Sequence, residues 1–375
     1  MMRFLKQLKW PDNFRRLFRR ERPLVGVSVD AGEVRAVRLV ADSRGGRLDA
    51  AAAVPGPEVD TNGTVPEAAL SDALREAASA VRYDGEWAVS ALPGMAVIER
   101  MLKIPAMPRS ELEGAVRFEA EQHIPVPLDD MIVEHVVLGE EENQERLLRV
   151  MVAACRRDAV MGFHRAFSLA GLTLAAIDLP ALALWRCFAG EDQNHGRRLA
   201  IVNIGTMVTN CVLVENNHLL FSRTSPVGSR SLGIDQVLAG EQEAALGQPT
   251  ALAEAAGGET PRAAAFAVGD RSRDGVLITG PFAWHAGPGG GVMVDQLAGE
   301  IRRSLEFFAS GHGEWVPERV MLTGPGARWG ELAGLFSDEL GLEASVAIPG
   351  GIRTDAAMDP ALATACGLAM WGGRL

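Results

Sequence analysis

The sequence predicts an α/β protein of two lobes, with a small αβ unit inserted in the first. Three observations carry that prediction. The chain has 375 residues, too many for one compact core. Short strand-like runs alternate with helical stretches along it. The opening pattern, "VGVSVDAG" at 25–32, returns as "AIVNIGTM" at 200–207, an offset of 175 residues. Two unrelated hairpin meanders would also look alike; the sharper reading is a duplicated domain with a ligand between two facing hairpins.

The elements follow in order. Residues 24–54 read as three strands with turns near "DAGE" and "SRGG", where glycine and aspartate interrupt the valine-rich runs. Over 66–82, Leu70, Leu74, Ala77, Ala78 and Val81 share a helical face. Strands follow near 86–92 and 97–103. Ser110 and Glu113 form a capping-box pattern opening a helix, and Pro125 and Pro127 stop it. A strand at 131–138, an acidic turn "GEEENQE" and a strand at 146–155 complete the small unit. Helices are expected at 157–170 and from "DLPALALWRCF", with a linker at 190–198. Three more strands then repeat the opening. Beyond 240 the chain is rich in alanine and glycine, which predicts small helices and loops, "WHAGPGGG" among them. A helix at 292–309 is followed by strand, glycine turn and helix in "ERVMLTGPGARWGELAGLFSDELG". The last helix has Asp359 as N-cap and Pro360 at its first position.

Composition removes most function classes. With 47% hydrophobic and 23% charged residues, a sizeable buried core is expected. There is no apolar run long enough to cross a membrane as a helix and no signal-peptide core. The four cysteines lie far apart, which reads as buried reduced thiols in a cytoplasmic protein. His123, His135 and His164 are scattered and read as structural. No P-loop, H-E-x-x-H or G-x-S-x-G pattern is present. Charge is uneven. Residues 1–22 carry eight basic and two acidic side chains, so the net −11 of the whole leaves −17 on the rest. An acidic body argues against a nucleic-acid surface. The basic segment carries Phe4, Leu8, Phe14, Leu17 and Phe18 at helical spacing. That suits a helix lying on anionic lipid, or one folded against the acidic body.

Seven stretches, in order along the chain, carry a resemblance: "FEAEQHIPVPLDDMIVEHVVL", "VMVAACRRDAV", "AGLTLAAIDLPALAL", "VNIGTMVTNCVLVENNHLLFSR", "EIRRSLEFF", "VMLTGPGA" and "ACGLAM". They resemble the PilM family, cytoplasmic actin-like components of type IV pilus assembly related to the division protein FtsA. The resemblance implies a two-lobed actin-like fold, in which a ribonuclease H-like lobe is duplicated. The first lobe would span 23–198, with an inserted subdomain at about 104–156. The second would span 199–346, divergent over about 240–291, and 347–375 would return to the first lobe. It also implies ATP with Mg between the lobes, gripped by two hairpins, each with an acid that helps to hold the metal.

In the family-length register the first acid corresponds to Ser28 and the glycine after it to Asp30. The second acid corresponds to Asn203, while Gly205, Thr206 and Thr209 remain. The third turn is "TGPG", with Gly324 and Gly326 kept and Pro325 lacking a backbone donor. No lysine follows Lys103 to meet the adenosine side. In a rival register, "DAG" at 30–32 is itself the acid motif in a turn shorter by two residues. Mg²⁺ favours carboxylate oxygen and water, so the expected site binds ATP weakly or not at all. Ser28 and Asn203 are expected to face each other across the inter-lobe cleft, with "TGPG" at its rim.

The resemblance further implies a partner, the short cytoplasmic tail of a PilN-like inner-membrane protein, alongside other platform proteins. Phe118, Ile124 and Val126 are the candidate pocket walls, because the prolines of "IPVP" hold that link extended and stiff; the alternative is that all three belong to the core. Such a protein would be cytoplasmic and peripheral at the inner membrane. Two other readings compete with the scaffold. One is an active ATPase or small-molecule kinase of the same fold. The other is the cytoplasmic part of a type II secretion platform protein.

Overall fold

A computed structural model describes residues 24–42, 45–60, 63–140, 146–189, 194, 196–234, 290–313, 315–349, 352–354 and 358–371. The expectations for the basic segment 1–22, for most of the "GEEENQE" tip, and for the alanine- and glycine-rich stretch 240–289 lie outside these residues. So does most of the 190–198 linker.

Two sheets share one topology. In the first, β1 (Leu24–Asp30), β2 (Glu33–Asp42) and β3 (Gly45–Pro55) form an antiparallel meander. Strands β4 (Trp87–Ala91) and β8 (Thr173–Asp178) then add in parallel beside β1. The order is β14-β3-β2-β1-β4-β8, with the two-residue β14 (Ile352–Arg353) at the far edge. In the second sheet β9 (Arg198–Ile204), β10 (Thr209–Glu215) and β11 (His218–Ser225) form the meander. Strands β12 (Arg319–Thr323) and β13 (Ala344–Val346) add in parallel beside β9. Leaving β14 aside, both sheets read third, second, first, fourth, fifth. This is the duplicated ribonuclease H-like sheet of actin-like proteins.

Both central strands are buried along nearly their whole length, as strands covered on both faces are. Helices α1 (Glu67–Ala80) and α3 (Arg157–Leu169) cover the outer face of the first sheet, with Leu70, Leu74, Phe163 and Phe167 against Val25, Val27 and Val29. Helices α5 (Gly290–His312) and α6 (Leu332–Leu340) do the same for the second, through Leu297, Ile301 and Phe336. Helices α4 (Pro180–Ala189) and α7 (Ala363–Ala369) lie between the sheets. Their Leu182, Leu184 and Cys366 share one core with Val37 and Leu39 of the first sheet and Ile201 and Val212 of the second. All four cysteines are buried and free, and burial pushes the Cys155 and Cys211 thiols up to about 12.

The third sheet is small: β5 (Val97–Pro105), β7 (Leu147–Arg156) and β6 (Met131–Glu140), antiparallel in that order. Helix α2 (Arg109–His123) covers it, burying Leu112, Val116 and Ala120 at four-residue spacing. The capping-box expectation fails here. Pro108 is the N-cap with no side-chain bond, and Ser110 lies inside the first turn. Pro108 in extended geometry already delivers its carbonyl to the amides of Glu111 and Leu112. The helix therefore starts earlier than a cap at Ser110 would allow.

Candidate functional site

Alternation along β1 sends Val25, Val27 and Val29 into the outer core, so Gly26, Ser28 and Asp30 face the other way, toward the second lobe. Ser28 pairs across the hairpin with Arg35, and Asp30 with Glu33. Ala31 and Gly32 close the turn, and Gly32 takes φ +82°, which favours glycine. In the second hairpin Asn203 pairs with Asn210, and the Gly205 N–H donates to the Val208 carbonyl at 2.9 Å. The offset of 175 therefore runs through both turns without a gap. Within this chain Ser28, not Asp30, is the counterpart of Asn203, and Asp30 is the counterpart of Gly205.

Each expected site residue now has a place. Ser28, Asp30, Asn203, Gly205 and Pro325 line one cleft between the lobes, together with Thr364. Ser28 is buried and its Oγ has no partner. The Asn203 amide points its Nδ2 at Asn210 Oδ1, 3.4 Å away, and Asn210 Nδ2 donates to Thr224 Oγ1 at 2.9 Å. Thr209 is turned away from the cleft, with its hydroxyl donating to the Val227 carbonyl at 2.7 Å. The backbone N–H of Thr206 donates to Asp30 Oδ2 at 3.0 Å. The other carboxylate oxygen of Asp30 accepts from Ala31 N–H at 2.9 Å.

Gly324 and Gly326 have a packing role that their motif does not announce. Gly324 has φ +86°, and a Cβ there would lie 2.6 Å from the Ile204 carbonyl oxygen. A Cβ on Gly326 would lie 2.4 Å from Ile204 Cγ2. Both glycines let the Pro325–Arg328 turn press on the second hairpin. The Gly324 N–H is taken by the Pro360 carbonyl at 3.1 Å.

Charges around the cleft form a chain that sequence reading missed. Arg35 is 3% exposed; it pairs with Glu33 and reaches Asp30 Oδ2 at 3.6 Å. Glu33 also faces Arg328 at 3.9 Å, and Arg328 Nε bonds both carboxylate oxygens of Asp359 at 3.1 Å. Asp359 caps Pro360–Leu362 through the Ala361 N–H, as expected, but its tie to Arg328 had no sequence signal. The signal for Arg35 was its place on β2 across from Ser28. Three acids and two arginines leave this cluster net negative.

These residues do not fit Mg·ATP. The two expected metal-holding positions carry a hydroxyl and an amide. The Thr206 N–H already has an anionic acceptor. Like charges at about 4 Å repel by roughly 4 kcal/mol at an effective dielectric of 20, so the Asp30 carboxylate opposes a phosphate placed beside it. Among the described residues, no three of His, Cys, Asp and Glu converge on a common point.

On the small sheet, Phe118 is 63% exposed and Val126 39% exposed, so both are open to a partner. Ile124 is not. It is 4% exposed and packs with Leu112, Val116 and Ala120. It extends the four-residue spacing of the α2 core face by one more step, a signal present in the sequence. Val137 on β6, 42% exposed, is an apolar surface residue that sequence reading passed over. No described helix is long and apolar enough to cross a membrane.

A family model described as type IV pilus assembly protein PilM matches residues 26–239. A solved structure described as a PilM–PilN type IV pilus biogenesis complex is similar to this chain at 26% identity and TM-score 0.72, over 94% of this chain and 99% of that one. Ethanolamine utilization protein EutJ from Carboxydothermus hydrogenoformans aligns at 16% identity and TM-score 0.49, over 93% and 90% of the two chains. The cytoplasmic domain of EpsL, an inner-membrane component of the Vibrio cholerae type II secretion system, aligns at 11% and TM-score 0.43, over 94% of each chain.

Proposed function

This chain belongs to the PilM family of type IV pilus assembly proteins, and from that premise we propose that it is a scaffold which works without nucleotide turnover. It holds the cytoplasmic tail of a PilN-like membrane protein at the inner membrane. The observation that carries this reading is the likeness, over nearly the whole of both chains, to a protein solved as a PilM–PilN complex. The open side chains Phe118 and Val126 support a docking place on the small sheet. A short extended peptide gains affinity from strand-edge pairing and from side-chain pockets. One tail binds modestly, and a paired platform raises that by avidity.

The nucleotide site is degenerate in this reading. Ser28 and Asn203 stand for its lost acids, and Mg·ATP binds weakly or not at all. The basic segment 1–22 adds a peripheral contact with anionic lipid, which added salt releases because surface charges act over about 8 Å at physiological ionic strength.

The test is to titrate the chain with a synthetic peptide of a PilN-type N-terminal tail. Val126→Asp and Phe118→Asp abolish binding while circular dichroism stays unchanged. Undiminished binding by both folded variants moves the docking place elsewhere. Calorimetry on the unaltered chain detects no Mg·ATP binding tighter than about 1 mM.

A further inference from the structure

We propose that Asp30 is a built-in anion: its carboxylate fills the backbone cradle of the second hairpin and clasps the two lobes shut without a ligand. The inference rests on the reading of a degenerate nucleotide site and adds what has taken its place. A tight turn with an outward N–H is a cradle for an anion, and a buried backbone N–H requires an acceptor. At this turn the Gly205 N–H is spent inside the hairpin, on Val208. The Thr206 N–H points out of it, and its acceptor is Asp30 Oδ2 at 3.0 Å, from the other lobe. The fit is close. A Cβ on Gly205 would stand 3.3 Å from that same oxygen. Arg35 holds the carboxylate from behind, and Arg35 is itself buried and paired with Glu33.

The same residue is gripped from its other side. The Thr206 carbonyl accepts from the Arg230 N–H at 3.1 Å. The Arg230 guanidinium then reaches back to the first lobe, bonding Glu58 at 2.6 and 3.2 Å. The segment carrying Glu58 is tied to the first hairpin, since the Gly32 N–H donates to the Pro57 carbonyl at 3.0 Å. The Arg230 contact lowers the Glu58 carboxyl below its ordinary value. A closed ring results, running from Asp30 through Thr206, Arg230, Glu58 and Gly32 back to Asp30. Each lobe contributes an acid, a turn or an arginine to it, and none of its links needs a nucleotide.

The experiment uses the full chain and three variants, Asp30→Ala, Asp30→Asn and Glu58→Ala. Amide hydrogen exchange is followed over residues 204–209, with β7 as an internal reference for global unfolding. Asp30→Ala speeds exchange at the second hairpin about tenfold, the scale set by losing one hydrogen bond to a charged acceptor, and leaves β7 unchanged. Millimolar inorganic phosphate or pyrophosphate restores the protection in Asp30→Ala and does nothing to the unaltered chain. Asp30→Asn keeps an acceptor oxygen and so retains most of the protection. Glu58→Ala loosens the hairpin but gains no response to phosphate, because its cradle is still filled. Unchanged exchange in Asp30→Ala overturns the inference, as does equal phosphate protection of the variant and the unaltered chain. Tight Mg·ATP binding by the unaltered chain overturns instead the degenerate-site reading on which it rests.

Discussion

The two hairpins of the duplicated sheets have the same pairing register and opposite chemistry. At equivalent places the first has Ser28, Asp30 and Arg35, and the second has Asn203, Gly205 and Asn210. The first projects a carboxylate backed by a buried guanidinium. The second is neutral and presents a bare backbone amide. The two residues that meet across the cleft, Asp30 and Gly205, are counterparts in the repeat. Duplication began with two like hairpins; these have become an acceptor and its donor. The acceptor is the Asp30 carboxylate and the donor is the Thr206 N–H, next to the glycine that leaves room for it.

The comparison breaks most severely at Arg35. Replacing it by methionine leaves Asp30 and Glu33 facing each other without a buried counter-charge. Loss of one partner of a buried pair costs about 3–5 kcal/mol, and we expect a loss near the lower figure in urea-induced unfolding. The counterpart change in the neutral hairpin, Asn210→Ala, removes only bonds to Asn203 and Thr224. A net loss of about 1–2 kcal/mol is expected from the same measurement. Equal losses for the two variants would erase the asymmetry drawn here.

Another joint sharpens the contrast, because its carboxylate meets a hydroxyl. Glu99 on β5 accepts a hydrogen bond from Ser222 Oγ on β11 at 2.9 Å. Burial first, and then the nearby Asp178 charge, raise its pKa from 4.5 to about 7, against the pull of that hydroxyl. The folded chain therefore keeps a proton between pH 4.5 and 7 that the unfolded chain releases. Stability from this group is full below pH 4.5 and declines as pH rises to about 7. Glu99→Gln abolishes that decline. Because Glu99 retains some solvent contact, we expect the variant to be about 1–2 kcal/mol more stable at pH 8, with the difference closing at pH 4. Parallel stability curves across that range would remove Glu99 from the joint.

The smallest effect is expected where the sequence draws most notice. Asn203→Asp returns one acid to the second hairpin but leaves Ser28 and Asp30 in place. ATP turnover should stay at background in a phosphate-release assay, because hydrolysis needs metal and water both positioned. Turnover restored by this change alone would mean that the missing acid at Asn203 was the one defect of the site.

Much of this was legible in the sequence. The three-strand openings were readable because glycine and aspartate break valine-rich runs, and the 175-residue offset survives intact in the pairing. The strand and helix of the small sheet were readable from proline and periodicity. What sequence hid has a common physical cause. The bond from Thr206 to Asp30 spans 176 residues, and no local pattern encodes a contact of that separation. The Arg328–Asp359 tie is hidden in the same way. Two misreadings had local causes. "SELE" matches a capping box, but Pro108 two residues earlier had already begun the turn. "IPVP" placed Ile124 among the pocket walls, yet Ile124 obeys the helix before it rather than the prolines after it.

Helix α7 carries a consequence for the newborn chain. Its residues 363–369 lie directly on β1, where a Cβ on Gly26 would stand 1.9 Å from the Ala365 carbonyl oxygen. The inner face of the first sheet is thus sealed by residues made more than 330 positions after β1. A ribosome has added all of the intervening chain before that apolar face is covered. Domains commonly fold from the N-terminus as they emerge, but this first lobe must wait, with Val37 and Leu39 bare on that side. Such late-closing contacts slow folding. A nascent chain stalled before Ala363 should therefore hold the first sheet open to chaperones.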